Sequence, residues 1–242
     1  AVRNGEAGGR RARVDACVQV LREASGLSTG AVAERWIRWA EGLKDDWVWE
    51  RRDSKRSSRD ADEEGASTTF YGLRVASDRL VFLVDMSGSM WRSNGESSRK
   101  EQVEVELAKT LRQLPEETYF NLVPYANAPG PWEKELVPAT PKNVERAIEW
   151  FQRNTQRGRG DAWSALLPVL RDPSVDTVVI LFDGAPSGGT RWNVELMRSL
   201  LADENRLRGV VIHTVLFEAS GFLKRSWDAI ATDARGTQVL IE

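Results

Sequence analysis

The sequence predicts a doubly wound α/β fold with a mostly parallel six-stranded sheet, preceded by a helical hairpin. Two fully apolar runs, Leu80–Val84 and Thr177–Phe182, read as strands buried on both faces, as a parallel sheet requires. Around them, segments with apolar residues at helical spacing alternate with shorter apolar runs, the signature of repeated strand–helix units. Each of the two strong runs is followed by an aspartate, Asp85 and Asp183, and open α/β sheets bind ligands beyond the carboxyl ends of their strands.

Three regions follow from the pattern. In residues 1–50, Val14, Cys17, Val18 and Leu21 form one helical stripe that stops at Gly26. Thr29 is placed to N-cap a second helix, with Val32, Trp36, Trp39, Ala40 and Leu43 on one face. Two short helices cannot bury both faces alone, so they read either as the last unit of a helical-repeat (HEAT-like) array or as a cap on the main domain. Residues 51–66 are charged, serine-rich and almost free of large apolar side chains, which predicts a flexible linker.

The main domain is assigned to residues 67–242. Thr68–Val75 reads as an added strand with no assigned pairing. After the strand at Leu80–Val84, residues 99–114 place Val103, Leu107, Leu111 and Leu114 on one helical face before Pro115. Tyr119–Pro124 and Trp132–Val137 are short strands around the turn residues Ala128-Pro129-Gly130. Thr140-Pro141 opens the next helix by an N-cap and a proline in its first turn. A short helix near 161–171 leads into Thr177–Phe182. A helix at 191–207, a strand at 210–217, a helix carrying Leu223, Trp227, Ile230 and Ala234, and a strand at Thr237–Ile241 complete the series.

Composition narrows the function. The 242 residues are 41% hydrophobic and 29% charged with a net charge of -2, so no global field favours nucleic acid or an anionic membrane. Cys17 is the only cysteine, which rules out an intrachain disulfide and a cysteine metal cage. No apolar run is long enough to span a bilayer, which takes roughly 18 residues. The chain opens at Ala1 without an initiator methionine or an apolar leader, so a fragment or processed product is expected and the compartment is left open.

The chemistry lies in the loops after the two strong strands. Asp85-Met86-Ser87-Gly88-Ser89-Met90 presents a carboxylate and two hydroxyls on alternate residues of a tight turn, and Asp183-Gly184-Ala185-Pro186 presents a second carboxylate. Oxygen-only donors from separate loops suit a hard cation, Mg²⁺ first and Mn²⁺ second.

These residues carry a family resemblance. VFLVDMSGSM resembles the D-x-S-x-S segment of the metal-ion-dependent adhesion site of the von Willebrand factor type A family, and VVILFDGAPSGG resembles that family's third loop. The likeness in strand and helix order runs from about residue 78 to 242, and it implies a Rossmann-like sheet. It further implies that Ser87 and Ser89 ligate a metal directly, with Asp85 and Asp183 acting directly or through water. The family's middle loop usually carries glycine-glycine-threonine. Here Gly160 stands at the threonine position and Asp161 follows it, so one hydroxyl ligand is missing and Asp161 is the candidate to compensate. The resemblance implies protein recognition or adhesion, with an open metal position for an Asp or Glu of a partner protein. Met90, Trp91, Arg92, Trp163 and Trp192 fall around that opening, and aromatic and arginine residues on loops are favoured interface anchors. Alternatively, some of these rings pack on the domain's own helices.

Enzymatic readings find little support. The sole histidine, His213, sits inside the apolar run VVIHTVLF, where a core role is favoured over that of a base for Ser87 or Ser89. No G-x-x-x-x-G-K-[ST] segment exists for nucleotide hydrolysis. No enzyme is therefore expected. Two other readings stay open: an RNA-binding chain of Ro-like architecture, with Arg51–Arg59 as a phosphate contact, and a metal-independent scaffold with a degenerate site.

Overall fold

The computed structural model describes residues 14, 16–25, 33–44, 46–48, 67–93, 95, 97–217 and 221–241. The expected linker at 51–66, the basic stretch Arg51–Arg59, and Gly26, Thr29 and Val32 lie outside the described residues. The main sheet is the one the sequence predicts. Its order is β5-β4-β3-β6-β7-β8, built from β3 (Arg79–Asp85), β4 (Tyr119–Tyr125), β5 (Val137–Pro138), β6 (Thr177–Phe182), β7 (Val211–Phe217) and β8 (Gln238–Ile241). All neighbours are parallel except β5, which pairs antiparallel with β4 at the edge.

Side chains alternate across this sheet, as the two-residue period of a strand demands. Leu80, Phe82 and Val84 of β3 enter the core beneath α3 (Arg99–Arg112) and α4 (Pro141–Arg153). Val81 and Leu83 enter the opposite core, with residues of α5 (Ala162–Arg171), α6 (Val194–Asn205) and α7 (Gly221–Asp233). Local signals start the helices. Ser98 and Glu101 form a reciprocal capping box at α3, and Thr140 caps α4 with Pro141 in its first turn.

Three expectations need correction. Thr68–Val75 is a hairpin rather than one strand: β1 (Ser67–Phe70) pairs antiparallel with β2 (Leu73–Ala76) through Tyr71-Gly72. Both turn residues have positive φ, 49° and 76°, the twist that a two-residue hairpin loop favours. Phe70, Leu73 and Val75 then join the core on the α3 side, and reciprocal bonds between Thr68, Thr69 and Thr110 fasten the hairpin to α3.

The edge strand expected at Trp132–Val137 shrinks to Val137–Pro138. The Asn121 side chain takes the place of a ladder there, donating to Glu133 O at 2.7 Å and accepting from Glu133 N at 3.2 Å. In the helix over 16–25, here α1, Val18 is buried but Val14 and Cys17 are exposed. The face that docks includes Arg22, which donates to Arg208 O at 2.6 Å and Gly209 O at 2.7 Å ahead of β7. Apolar periodicity does not count an arginine as core, so it selected the wrong stripe. The following helix, α2 (Ala33–Glu41), buries Trp36.

His213 confirms its place in the core. It lies on β7, and its Nδ1 accepts from Thr237 N at 3.1 Å. Burial pushes its imidazole down to about 4 from 6.5. The unfolded chain therefore takes up a proton that the fold rejects. The stability from the neutral ring is complete above about 6.5 and is lost as pH falls toward about 4. Denaturant titrations across that window should show a falling midpoint for the wild type and a flatter one for His213→Gln. Equal slopes would mean that burial of this ring is not coupled to folding.

Candidate metal centre

The parallel pairing of β3 with β6 brings the ends of two distant segments together. Val84 is in register with Leu181, so Asp85 ends β3 level with Phe182, and Asp183 follows directly as β6 ends. Just past β3, a short 3₁₀ turn (Gly88–Trp91) folds Ser87 and Ser89 back over Asp85. The backbone of this turn is tied to two neighbouring loops, through Met86 N to Tyr125 O at 2.8 Å and Gly88 N to Gly158 O at 3.1 Å.

The polar groups form one chain of contacts. Ser87 N donates to Asp85 Oδ1 at 2.6 Å, the Ser87 and Ser89 hydroxyls are 3.1 Å apart, and Ser89 Oγ donates to Asp183 Oδ1 at 2.7 Å. Cis ligands on an octahedral Mg²⁺ with bonds of about 2.0–2.1 Å are separated by about 3 Å. The hydroxyl spacing fits that edge, and every donor is a hard oxygen. Among the described residues no three carboxylate, histidine or cysteine side chains gather into a metal cage.

Electrostatics separate the carboxylates. Asp85 is buried and its pKa is pushed up to about 7, first by burial; bonds from Ser87 lower it and the charge of Asp183 raises it. A buried anion in this state favours a nearby cation. Beneath it, fully buried Tyr125 has its phenol pushed well up by burial and then by the charges of Asp85, Asp183 and Asp161. Those three carboxylates therefore share one neighbourhood. Asp183 already has a counter-charge. Arg99, from the first turn of α3, places Nη1 2.8 Å from Asp183 Oδ2, and their side chains are only 17% and 3% exposed. The motif pattern did not point to Arg99; only the approach of α3 to the end of β6 reveals it.

The middle loop shows what replaces threonine. A Cβ built on Gly160 would lie 3.0 Å from Asp85 Oδ2, so the bare backbone sits hard against the carboxylate. Asp161 is also brought in, but its oxygens cap α5, accepting from Ser164 N at 3.1 Å and Ser164 Oγ at 2.7 Å. Ser187, in the loop that Asp183 opens, accepts from Gly160 N at 3.2 Å and closes the ring of loops. Gly189 has φ 73°, and a Cβ there would sit 2.4 Å from the Asp161 carboxyl, so only glycine lets this loop pass.

The expected partner-facing residues divide. Met90 is fully buried in the core, and Trp163 is buried in the opposite one, so neither reaches a partner. Their apolar bulk seals the loop from below, the alternative that sequence left open. Trp91 is half-buried; its Nε1 donates to Met86 O at 3.3 Å. Arg92 is exposed, and Trp192 is 64% exposed.

A doubly wound sheet with hydroxyls and carboxylates converging beyond adjacent strand ends defines a von Willebrand factor type A-like domain. Residues 78–219 match the von Willebrand factor type A domain profile, and the chain belongs to that family, whose members commonly mediate protein–protein interaction and often bind a divalent metal.

Among curated relatives, inter-alpha-trypsin inhibitor heavy chain H3 of Rattus norvegicus is 38% identical over 151 residues, 57% of this chain and 16% of that protein. Heavy chain 4 of Mus musculus is 28% identical over 130 residues, 48% of this chain and 13% of that protein. The chain thus spans a small part of the length of these relatives. A solved von Willebrand factor type A structure from Catenulispora acidiphila superposes with a TM-score of 0.54 at 18% identity, covering 70% of this chain and 40% of that one. The SpRpn10 VWA domain gives 0.51 at 13% identity, with 69% and 88% covered. These likenesses bear on the fold.

Proposed function

We propose that this chain is a non-enzymatic, metal-dependent protein-recognition domain. Ser87 and Ser89 would hold Mg²⁺, or Mn²⁺, with Asp85 and Asp183 as its carboxylates and Asp161 as an outer partner. The observation that carries this reading is the hydroxyl pair, 3.1 Å apart and linked to Asp183 and to the backbone beside Asp85. A bound Mg²⁺ would supply a positive centre with an exchangeable position for an Asp or Glu of a partner protein.

The protein's own residues arrange the rest. Ser87 N orients Asp85 by holding Oδ1, which leaves Oδ2 toward Gly160. Arg99 neutralises Asp183, so the site gathers fewer net negative charges and repels an incoming carboxylate less. Asp161 spends its oxygens on the α5 cap and thereby fixes the middle loop. The one histidine is buried in β7, where its Nδ1 accepts from Thr237 N.

Calorimetric titration of Mg²⁺ into chelator-stripped protein tests the reading. Saturable binding at one site per chain is expected. Absence of binding up to about 10 mM, beyond the weakest functional range of extracellular cation modules, would leave a metal-independent scaffold.

A further inference from the structure

Surface arginines in this domain are used in two ways. Arg112, Arg146, Arg153, Arg171 and Arg198 each pair with a glutamate or aspartate. Six others, Arg92, Arg157, Arg159, Arg191, Arg206 and Arg225, are exposed, and among the described residues none of them enters an ion pair. The first four lie on the loops that build the candidate metal centre. Arg92 follows the turn that carries Ser89; Arg157 and Arg159 flank Gly158, whose carbonyl accepts from Gly88; Arg191 lies on the loop that Asp183 opens.

Two of these guanidinium groups are held in place by aromatic rings. Arg157 lies 4.2 Å from the centroid of the Trp91 ring, and Arg191 lies 4.7 Å from that of Trp163. A stacked guanidinium keeps its N–H edge free for a planar, two-pronged acceptor. In a chain of net charge -2, four unmatched cations on adjacent loops are a local feature, not a consequence of overall basicity.

We propose that this rim recognises an acidic segment of the protein partner, with Asp or Glu residues on either side of the one that meets the central site. The proposal rests on the metal-dependent reading for that central contact; the rim adds the flanking charges. A carboxylate matches each guanidinium fork. Nucleic acid fits less well, because Trp91 and Trp163 already have a face covered by arginine and cannot serve as open platforms for bases. The four cations also steer an acidic chain toward the opening before contact.

Fluorescence anisotropy with a labelled oligoglutamate peptide, with Mg²⁺ present, tests this on the full chain. Oligoglutamate should bind and an oligoglutamine peptide should not. Combining Arg157→Gln, Arg159→Gln and Arg191→Gln should weaken binding by about tenfold or more. The control of equal charge change, Arg112→Gln with Arg146→Gln and Arg171→Gln, on helices outside these loops, should change it little, and melting curves establish that both variants fold.

Equal binding by the rim variant and wild type, or no binding of oligoglutamate at all, overturns the proposal. Tighter binding of a single-stranded oligonucleotide than of oligoglutamate overturns it in favour of nucleic acid. Dependence on the arginines that survives chelation supports the rim while the metal-dependent reading fails. Dependence on Mg²⁺ without dependence on the arginines does the reverse.

Discussion

Asp85→Asn is expected to abolish Mg²⁺ binding while making the metal-free protein more stable at neutral and alkaline pH. Asparagine retains the Oδ1 that accepts from Ser87 N at 2.6 Å, so the turn stays anchored. It lacks the charge that draws a cation. Affinity should fall more than about 100-fold, beyond the roughly 10–100-fold typical of groups outside the coordination sphere. The stability change follows from the same burial. In the fold the Asp85 carboxyl is pushed up to about 7 from 3.8, so it loses stability as pH rises through that interval and stays penalised above it. Removing the charge lifts that penalty. Thermal melts of stripped protein should place the variant above wild type at alkaline pH and bring the two together in acid. A variant that binds Mg²⁺ normally would remove Asp85 from the ligand set; one less stable at every pH would make the residue structural first.

Gly236→Ala should destabilise the domain by about 3 kcal/mol, the upper end of ordinary overpacking costs. A Cβ at this position would lie 1.9 Å from Ile212 O and 2.5 Å from its carbonyl carbon. The obstacle is the backbone of β7, a strand paired on both sides, which no rotamer change can move aside. Gly236 also closes α7. Its N–H reaches Ala231 O at 2.8 Å while Arg235 N reaches Thr232 O at 3.0 Å, the paired bonds of a Schellman cap. Glycine usually takes the left-handed position of that motif, yet here Arg235 does, at φ 59°. The glycine is needed one residue later, where the chain passes β7. Urea titration measures the effect, and a loss below about 1 kcal/mol would show that β8 can slide away from β7 at little cost.

Arg235 illustrates where pattern reading stops. The Ala-Arg-Gly sequence marks a helix end, but which residue turns left-handed depends on the distance to a strand more than twenty residues earlier in the chain. The same limit applies at the candidate site. Asp85, Ser87, Ser89 and Asp183 were legible because each lies next to a strand with an unmistakable apolar run. The wrong partner-facing assignments, Met90 and Trp163, share a cause: adjacency to a functional loop in sequence does not reveal which side of the loop faces the core. Arg99 and the rim arginines carry no motif at all, and only their position relative to Asp183, Trp91 and Trp163 marks them.

By itself the sequence determined the sheet, its helices and the residues at the strand ends, because burial on both faces and 3.6-residue periodicity are local properties of the chain. The tertiary structure alone decided the hairpin at Ser67–Ala76, the docking of α1 through Arg22, the Arg99–Asp183 pair and the use of Asp161 as a cap. Each of these depends on which distant groups the folded chain brings within hydrogen-bonding reach, and no periodicity in one segment encodes the position of another.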